Sequence, residues 1–171
     1  NKPYKLQQTA QNEVLIAPYD AKNIYMIQYH NEGNTWNAEQ EPIAALFNEY
    51  YGGGMNTVVF QELREARGLA YSAFAMYGTP SYKDDTEFAY TYIISQNDKM
   101  MDCINTFNSI LDTMPQSEKA FELSKQALMK RLATSRTTKT GILNAYINAE
   151  NLGIDYDINK KIYEAVPSLT L

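Results

Sequence analysis

The sequence predicts an α+β fold: an antiparallel sheet of four or more strands with helices packed on one face. Three observations predict it. Four short runs rich in β-branched and aromatic residues fall in two pairs, 12–17 with 22–30 and 69–77 with 87–95. Helical-period patterns separate the pairs and fill the chain after residue 97. At 171 residues, 44% apolar and 20% charged, the chain is the size of one domain with a substantial core. Strand pair, two helices, strand pair, then three or four helices is the order of an α+β layer arrangement.

The opening NKPYK reads as a linker. The runs NEVLIA (12–17) and KNIYMIQYH (22–30), separated by Pro18, Tyr19, Asp20 and Ala21, read as paired strands. His30 ends the second and reads as a strand-end histidine with a hydrogen bond, since no second ligand lies at metal spacing. A polar loop over 31–37 leads to a helix that Asn37 would cap, with Gln40 completing a capping box. Pro42 is tolerable there because it falls near the first turn. Ile43, Leu46, Phe47 and Tyr50 form the core stripe at i, i+3, i+4 and i+7.

Gly52, Gly53 and Gly54 break that helix. It resumes after Asn56 with Val59, Leu63 and Ala66 inward and Arg64 on a neighbouring face, and Gly68 sits where a left-handed residue closes the last turn. The strand 69–77 carries Tyr71 near its start. In 87–95, Phe88, Tyr90, Tyr92 and Ile94 alternate with Ala89, Thr91 and Ile93. Asn97 would cap the next helix, with the stripe Met100, Ile104, Phe107, Leu111 and Met114. Pro115 ends it and Ser117 begins another, carrying Phe121, Leu128 and Leu132. A helix over 140–152 carries Ile142, Tyr146 and Ala149, and a short one covers 157–165. These methionine and aromatic stripes read as core packing.

Several function classes are excluded or disfavoured. A net charge of −5 without a Lys/Arg cluster argues against nucleic acid as partner. No apolar run approaches the ~18 residues of a membrane span. One cysteine, Cys103, builds no internal disulfide, and with one histidine it cannot make an ordinary zinc site without carboxylates. Serines and threonines lack a histidine nearby in sequence, so a nucleophilic triad is disfavoured. Glu62 with Glu65, and Asp84 with Asp85, read as solvated faces. The glycine triplet follows a helix and lacks the Lys-Ser/Thr ending of a phosphate loop.

Arg64 and Tyr71 remain. An arginine offers a fixed fork of donors, a tyrosine hydroxyl a compact neutral one. Across Gly68 the two could converge on one peptide carbonyl or carboxylate; on spacing alone, a surface salt bridge is the commoner fate of such an arginine.

The run GGGMNTVVFQELREARGLAYS, with its R-E-x-R-G-L-A-Y core, resembles the second, non-zinc domain of the insulinase/pitrilysin (inverzincin) family of zinc metallopeptidases. The likeness extends over most of the chain, to the tail LSKQALMKRLATSRTT. It implies a LuxS/MPP-like fold, with residues 1–171 as a single C-terminal-type domain from a longer chain. The family's usual last helix and strand do not follow Leu171, so the resemblance implies a sheet short by one strand.

The resemblance also implies a peptidase built from two halves that close around a peptide or protein substrate. One half carries H-x-x-E-H, two zinc ligands and a general base. This chain has no such motif, so it would hold no metal, and the zinc would come from another domain or subunit, in cis or in trans. The other half contributes an arginine and a tyrosine, which fall on Arg64 and Tyr71, while Gly52, Gly53 and Gly54 would let backbone approach the substrate. Proteolysis is expected of the assembly and not of the chain alone. The alternative is an inactive scaffold or peptide-binding paralogue on the same fold. Substrate preference and compartment are not written in the sequence.

Overall fold

The computed structural model describes residues 6–171, so the linker-like opening at 1–5 lies outside the described residues. Three strands form one antiparallel sheet: β1 (Asn23–His30), β2 (Ala70–Gly78) and β3 (Phe88–Gln96), in the order β1-β3-β2. β3 is central because its alternation is complete. Thr91, Ile93 and Ser95 point into the core, while Tyr90, Tyr92 and Ile94 face the other side. β2 and β3 form the expected hairpin, with Ala73 opposite Ile93 and Gly78 opposite Phe88.

Helices collect on one face. Helix α1 (Glu41–Phe47) runs on through a π-helical turn, Asn48–Gly52, and α2 (Val58–Phe60) widens likewise over Gln61–Ala66. With α3 (Met100–Thr113) they bury Tyr51, Val59, Leu63 and Phe107 against Ala73, Ala75 and Ile93 of the sheet. A second cluster joins Leu46 and Tyr50 to Phe121 and Leu128 of α4 (Glu118–Thr134), and to Ile162 and Val166 at α6 (Ile158–Ala165) and its end. Ser117 caps α4 as expected, its hydroxyl accepting from the Ala120 N–H at 3.3 Å. Gly68 and Gly153 adopt φ of +59° and +69° and close their helices in the left-handed region.

Several expectations are corrected. The run 12–17 is not a strand, so among the described residues the sheet has three strands instead of four, and β1 pairs with β3. Val14, Leu15 and Ile16 stand 84–85% exposed: a β-like sequence forms a strand only where an edge is offered to it. Asn37 does not cap α1. Its carboxamide oxygen accepts from the Glu39 N–H in a local turn, and the helix starts at Glu41 with Ile43 half exposed. Asn97 likewise caps nothing; α3 starts at Met100, and Cys103 and Ile110 are buried in place of Leu111. Ala66 is exposed because the π-helical widening rotates it off the inner face. Helix α5 (Lys139–Leu152) buries none of its residues, so the stripe of Ile142 and Tyr146 is not core.

The sheet face away from the helices is open. Its residues include Tyr25 and Ile27 of β1, Tyr90 and Tyr92 of β3, and Phe74 and Met76 of β2. Rings pack across the strands, with Phe74 5.6 Å from Tyr92 and 5.8 Å from Tyr90. No Asp, Glu, Lys or Arg occurs in the three strands.

Candidate functional site

Tyr71 owes its position to a break in the ladder. Ala70 pairs with Ser95 and Ser72 with Ile94, so Tyr71 is an extra residue with no partner, a β-bulge. In an unbroken strand Tyr71 would share the inward face with Ala73 and Ala75. The bulge resets the alternation: Ala70 and Ala73 are both buried, and Tyr71 turns outward, 75% exposed. Its hydroxyl makes no hydrogen bond among the described residues.

The backbone entering the bulge is held firmly. The Leu69 N–H donates to the Leu63 carbonyl at 2.9 Å and the Gly68 N–H to that of Arg64 at 3.0 Å, the bonding of a left-handed helix end. Three side chains, from β3, from α3 and from the residue just before α3, reach the two carbonyls before Ala70. Ser95 Oγ donates to Leu69 O at 2.6 Å, Cys103 Sγ to the same oxygen at 3.4 Å, and Lys99 Nζ to Gly68 O at 3.2 Å. Sequence reasoning passed over Ser95 because no histidine stands near it. The available signal was its place on the inward phase of β3, where a buried hydroxyl needs an acceptor.

Arg64 lies on the widened turn of helix, a geometry frequent at functional sites. Its guanidinium sits 4.9 Å over the Phe60 ring and 3.7 Å from the Glu65 carboxylate, both partners on its own segment. No hydrogen bond joins it to Tyr71 among the described residues. Both side chains are exposed, on either side of the Gly68 turn.

The three glycines divide. Gly52 is buried, and a Cβ on it would lie 1.9 Å from the Ala75 carbonyl oxygen, so the glycine allows α1 to rest backbone-on-backbone against β2. A Cβ on Gly53 would meet Asn48 O at 2.8 Å, whereas Gly54 has open space around it. Asn48 extends this contact: its carboxamide accepts from the Tyr77 N–H at 2.7 Å and donates to the Tyr77 carbonyl at 2.9 Å.

The remaining candidates are quickly placed. His30 is an exposed strand-end residue paired with Glu32 at 3.0 Å. Among the described residues no group of three His, Cys, Asp or Glu is placed to hold a metal ion, and no helix is long and apolar enough to cross a membrane. A surface hollow of about 320 Å³ is lined by Arg67, Leu69, Asp102, Asn105 and Thr106, and Tyr71 is not part of it.

Comparison with known proteins adds the following. A family model described as the peptidase M16 inactive domain matches residues 1–128. No curated protein matches the sequence. Among solved structures, a peptidase M16 inactive domain from Pseudomonas fluorescens is similar at TM-score 0.68 and 16% identity, over 89% of this chain and 36% of that one. A Helicobacter pylori protease gives TM-score 0.69 at 12% identity, over 88% and 36%. The inactive peptidase domain of a Bordetella parapertussis protein assigned as a zinc protease gives 0.65 at 10%, over 92% and 84%. The chain thus spans about a third of the length of the first and second of these.

Proposed function

The chain belongs to the peptidase M16 inactive-domain family, and on that premise we propose that it is the substrate-binding half of a zinc metalloendopeptidase. It would lend Arg64 and Tyr71 to an active site whose zinc is held by another domain or subunit. The observation that carries the reading is the bulge that turns Tyr71 out of the core, its hydroxyl in no hydrogen bond among the described residues. A large aromatic side chain displaced from a core it could have joined, at the cost of a ladder pair, fits a residue kept for a ligand.

The chain's own donors do not fit zinc, since its single histidine and single cysteine lie on separate elements and no group of three ligating side chains occurs among the described residues. An H-x-x-E-H partner would supply the metal's chemistry. What this chain contributes is donors. The Tyr71 O–H donates to the scissile carbonyl oxygen as negative charge develops on it, and Arg64, released from Glu65, holds the substrate backbone by charge-assisted hydrogen bonds. The exposed Gly53 and Gly54 leave room for peptide backbone, while Gly52 seats them against β2.

A second reading, an inactive scaffold on the same fold, is favoured by one observation: the Arg64 guanidinium is engaged with Phe60 and Glu65 of its own segment. Reconstitution decides between them. Mixed with an H-x-x-E-H half, the chain is expected to produce cleavage of a fluorogenic peptide that neither half gives alone. Equal cleavage by the zinc half with and without this chain would favour the scaffold.

A further inference from the structure

We infer that Ser95 is a positioning residue for Tyr71: its buried hydroxyl fixes the strand register in which Tyr71 faces outward. The inference rests on the reading of Tyr71 as the substrate-facing donor.

The ladder between β2 and β3 has two ways to begin. In the observed register Ala70 lies opposite Ser95, and Tyr71 is left over as the bulge. Continuing the pairing of Ser72 with Ile94 by one regular step would put Tyr71 opposite Ser95 and turn its ring onto the face of Ala73 and Ala75. A slip of one residue exchanges the two faces of a strand. Gly68 and Leu69 would have to move with the slip. Their N–H groups are tied to the helix end, and the bonds to their carbonyls tie them to β3 and α3, the elements past which they would slide.

Of the side chains on those carbonyls, Ser95 makes the shortest bond. It is 1% exposed, so its hydroxyl has no water to turn to, and it donates to Leu69 O at 2.6 Å. Leu69 O accepts a second, weaker bond from the Cys103 thiol at 3.4 Å, using both lone pairs of one carbonyl. Lys99 adds a surface bond to Gly68 O at 3.2 Å. Removing the Ser95 hydroxyl therefore does more than weaken the core. It takes the shortest bond from the segment that must slide for Tyr71 to turn inward, leaving the helix-end N–H bonds, Cys103 and Lys99 to hold it.

The test uses the full chain carrying 3-fluorotyrosine, with the Tyr71 fluorine resonance assigned by its loss in Tyr71→Phe. Ser95→Ala is expected to broaden or split that resonance, and Ser95→Cys, which keeps a weaker donor, to fall between it and wild type. Thr91→Val, which removes another buried hydroxyl from the same face of β3, is expected to leave it unmoved. An unchanged resonance in Ser95→Ala, or an equal change in Thr91→Val, would overturn the inference.

With the zinc half present, Ser95→Ala is expected to lower kcat by about 10–100-fold with KM nearly unchanged, and to add little to the loss in Tyr71→Phe. A full additional loss in the double variant would also overturn it. A Tyr71→Phe assembly with wild-type kcat would instead sink the proposed function, leaving the fluorine result as a fact about register.

Discussion

β2 carries two tyrosines six positions apart, and they live in opposite conditions. Tyr77 is fastened on every side. Its hydroxyl donates to the buried Glu87 carboxylate at 2.6 Å, both its backbone groups are held by Asn48, and Gly52 lets α1 lie against the strand at Ala75. Tyr71 stands in a bulge with its side chain 75% exposed and its hydroxyl in no hydrogen bond among the described residues, while the backbone before it is clamped. One end of the strand is thus built to stay put. The other is built to hold a side chain out. Residue type says nothing of this difference; it lies in what each hydroxyl and each carbonyl has been given to bond.

Substitutions at the fastened end should lower stability, most of all where a backbone contact is lost. Gly52→Ala drives a methyl into the Ala75 carbonyl, a backbone atom that cannot swing aside, and is expected to cost about 3 kcal/mol in chemical denaturation. Asn48→Ala leaves the Tyr77 N–H and C=O without their partners and should cost about 2 kcal/mol by the same measurement. Tyr77→Phe removes a hydrogen bond to a carboxylate, for about 1–2 kcal/mol.

The last effect has a pH signature. Burial first, and then the hydrogen bond to Glu87, push the Tyr77 phenol up to about 12 from its ordinary 10.0. A raised value means that the stabilisation is fully present below pH about 10 and is lost as pH rises through about 12. The stability gap between wild type and Tyr77→Phe should therefore close over that window, and a gap constant through it would contradict the assignment. At the other end Tyr71→Phe should change stability least, by no more than about 0.5 kcal/mol, because its side chain is exposed and its hydroxyl makes no hydrogen bond among the described residues.

How far the sequence disclosed this arrangement follows from the range of each interaction. Signals confined to one turn were legible: Gly68 at a helix end, Ser117 at a helix start and the alternation along β3. What depends on distant partners was not. The bulge at Tyr71 exists only in the register with Ser95, the Asn48 clamp spans 29 positions, and Gly52 is explained by Ala75. The run 12–17 and helix α5 mislead for the opposite reason: their apolar patterns are real, but no surface among the described residues covers them. The family resemblance named Arg64 and Tyr71 as candidates, and tertiary pairing decides how Tyr71 stands.

The central claim is that the Tyr71 hydroxyl serves a reaction and not the fold. The most direct test is kcat and KM for Tyr71→Phe in the assembly with an H-x-x-E-H half, with the denaturation midpoint taken on the same preparation. The account predicts a kcat lower by about 10²–10³, a KM nearly unchanged and an unchanged midpoint. A wild-type kcat, or a loss of activity that only follows a loss of stability, would contradict it.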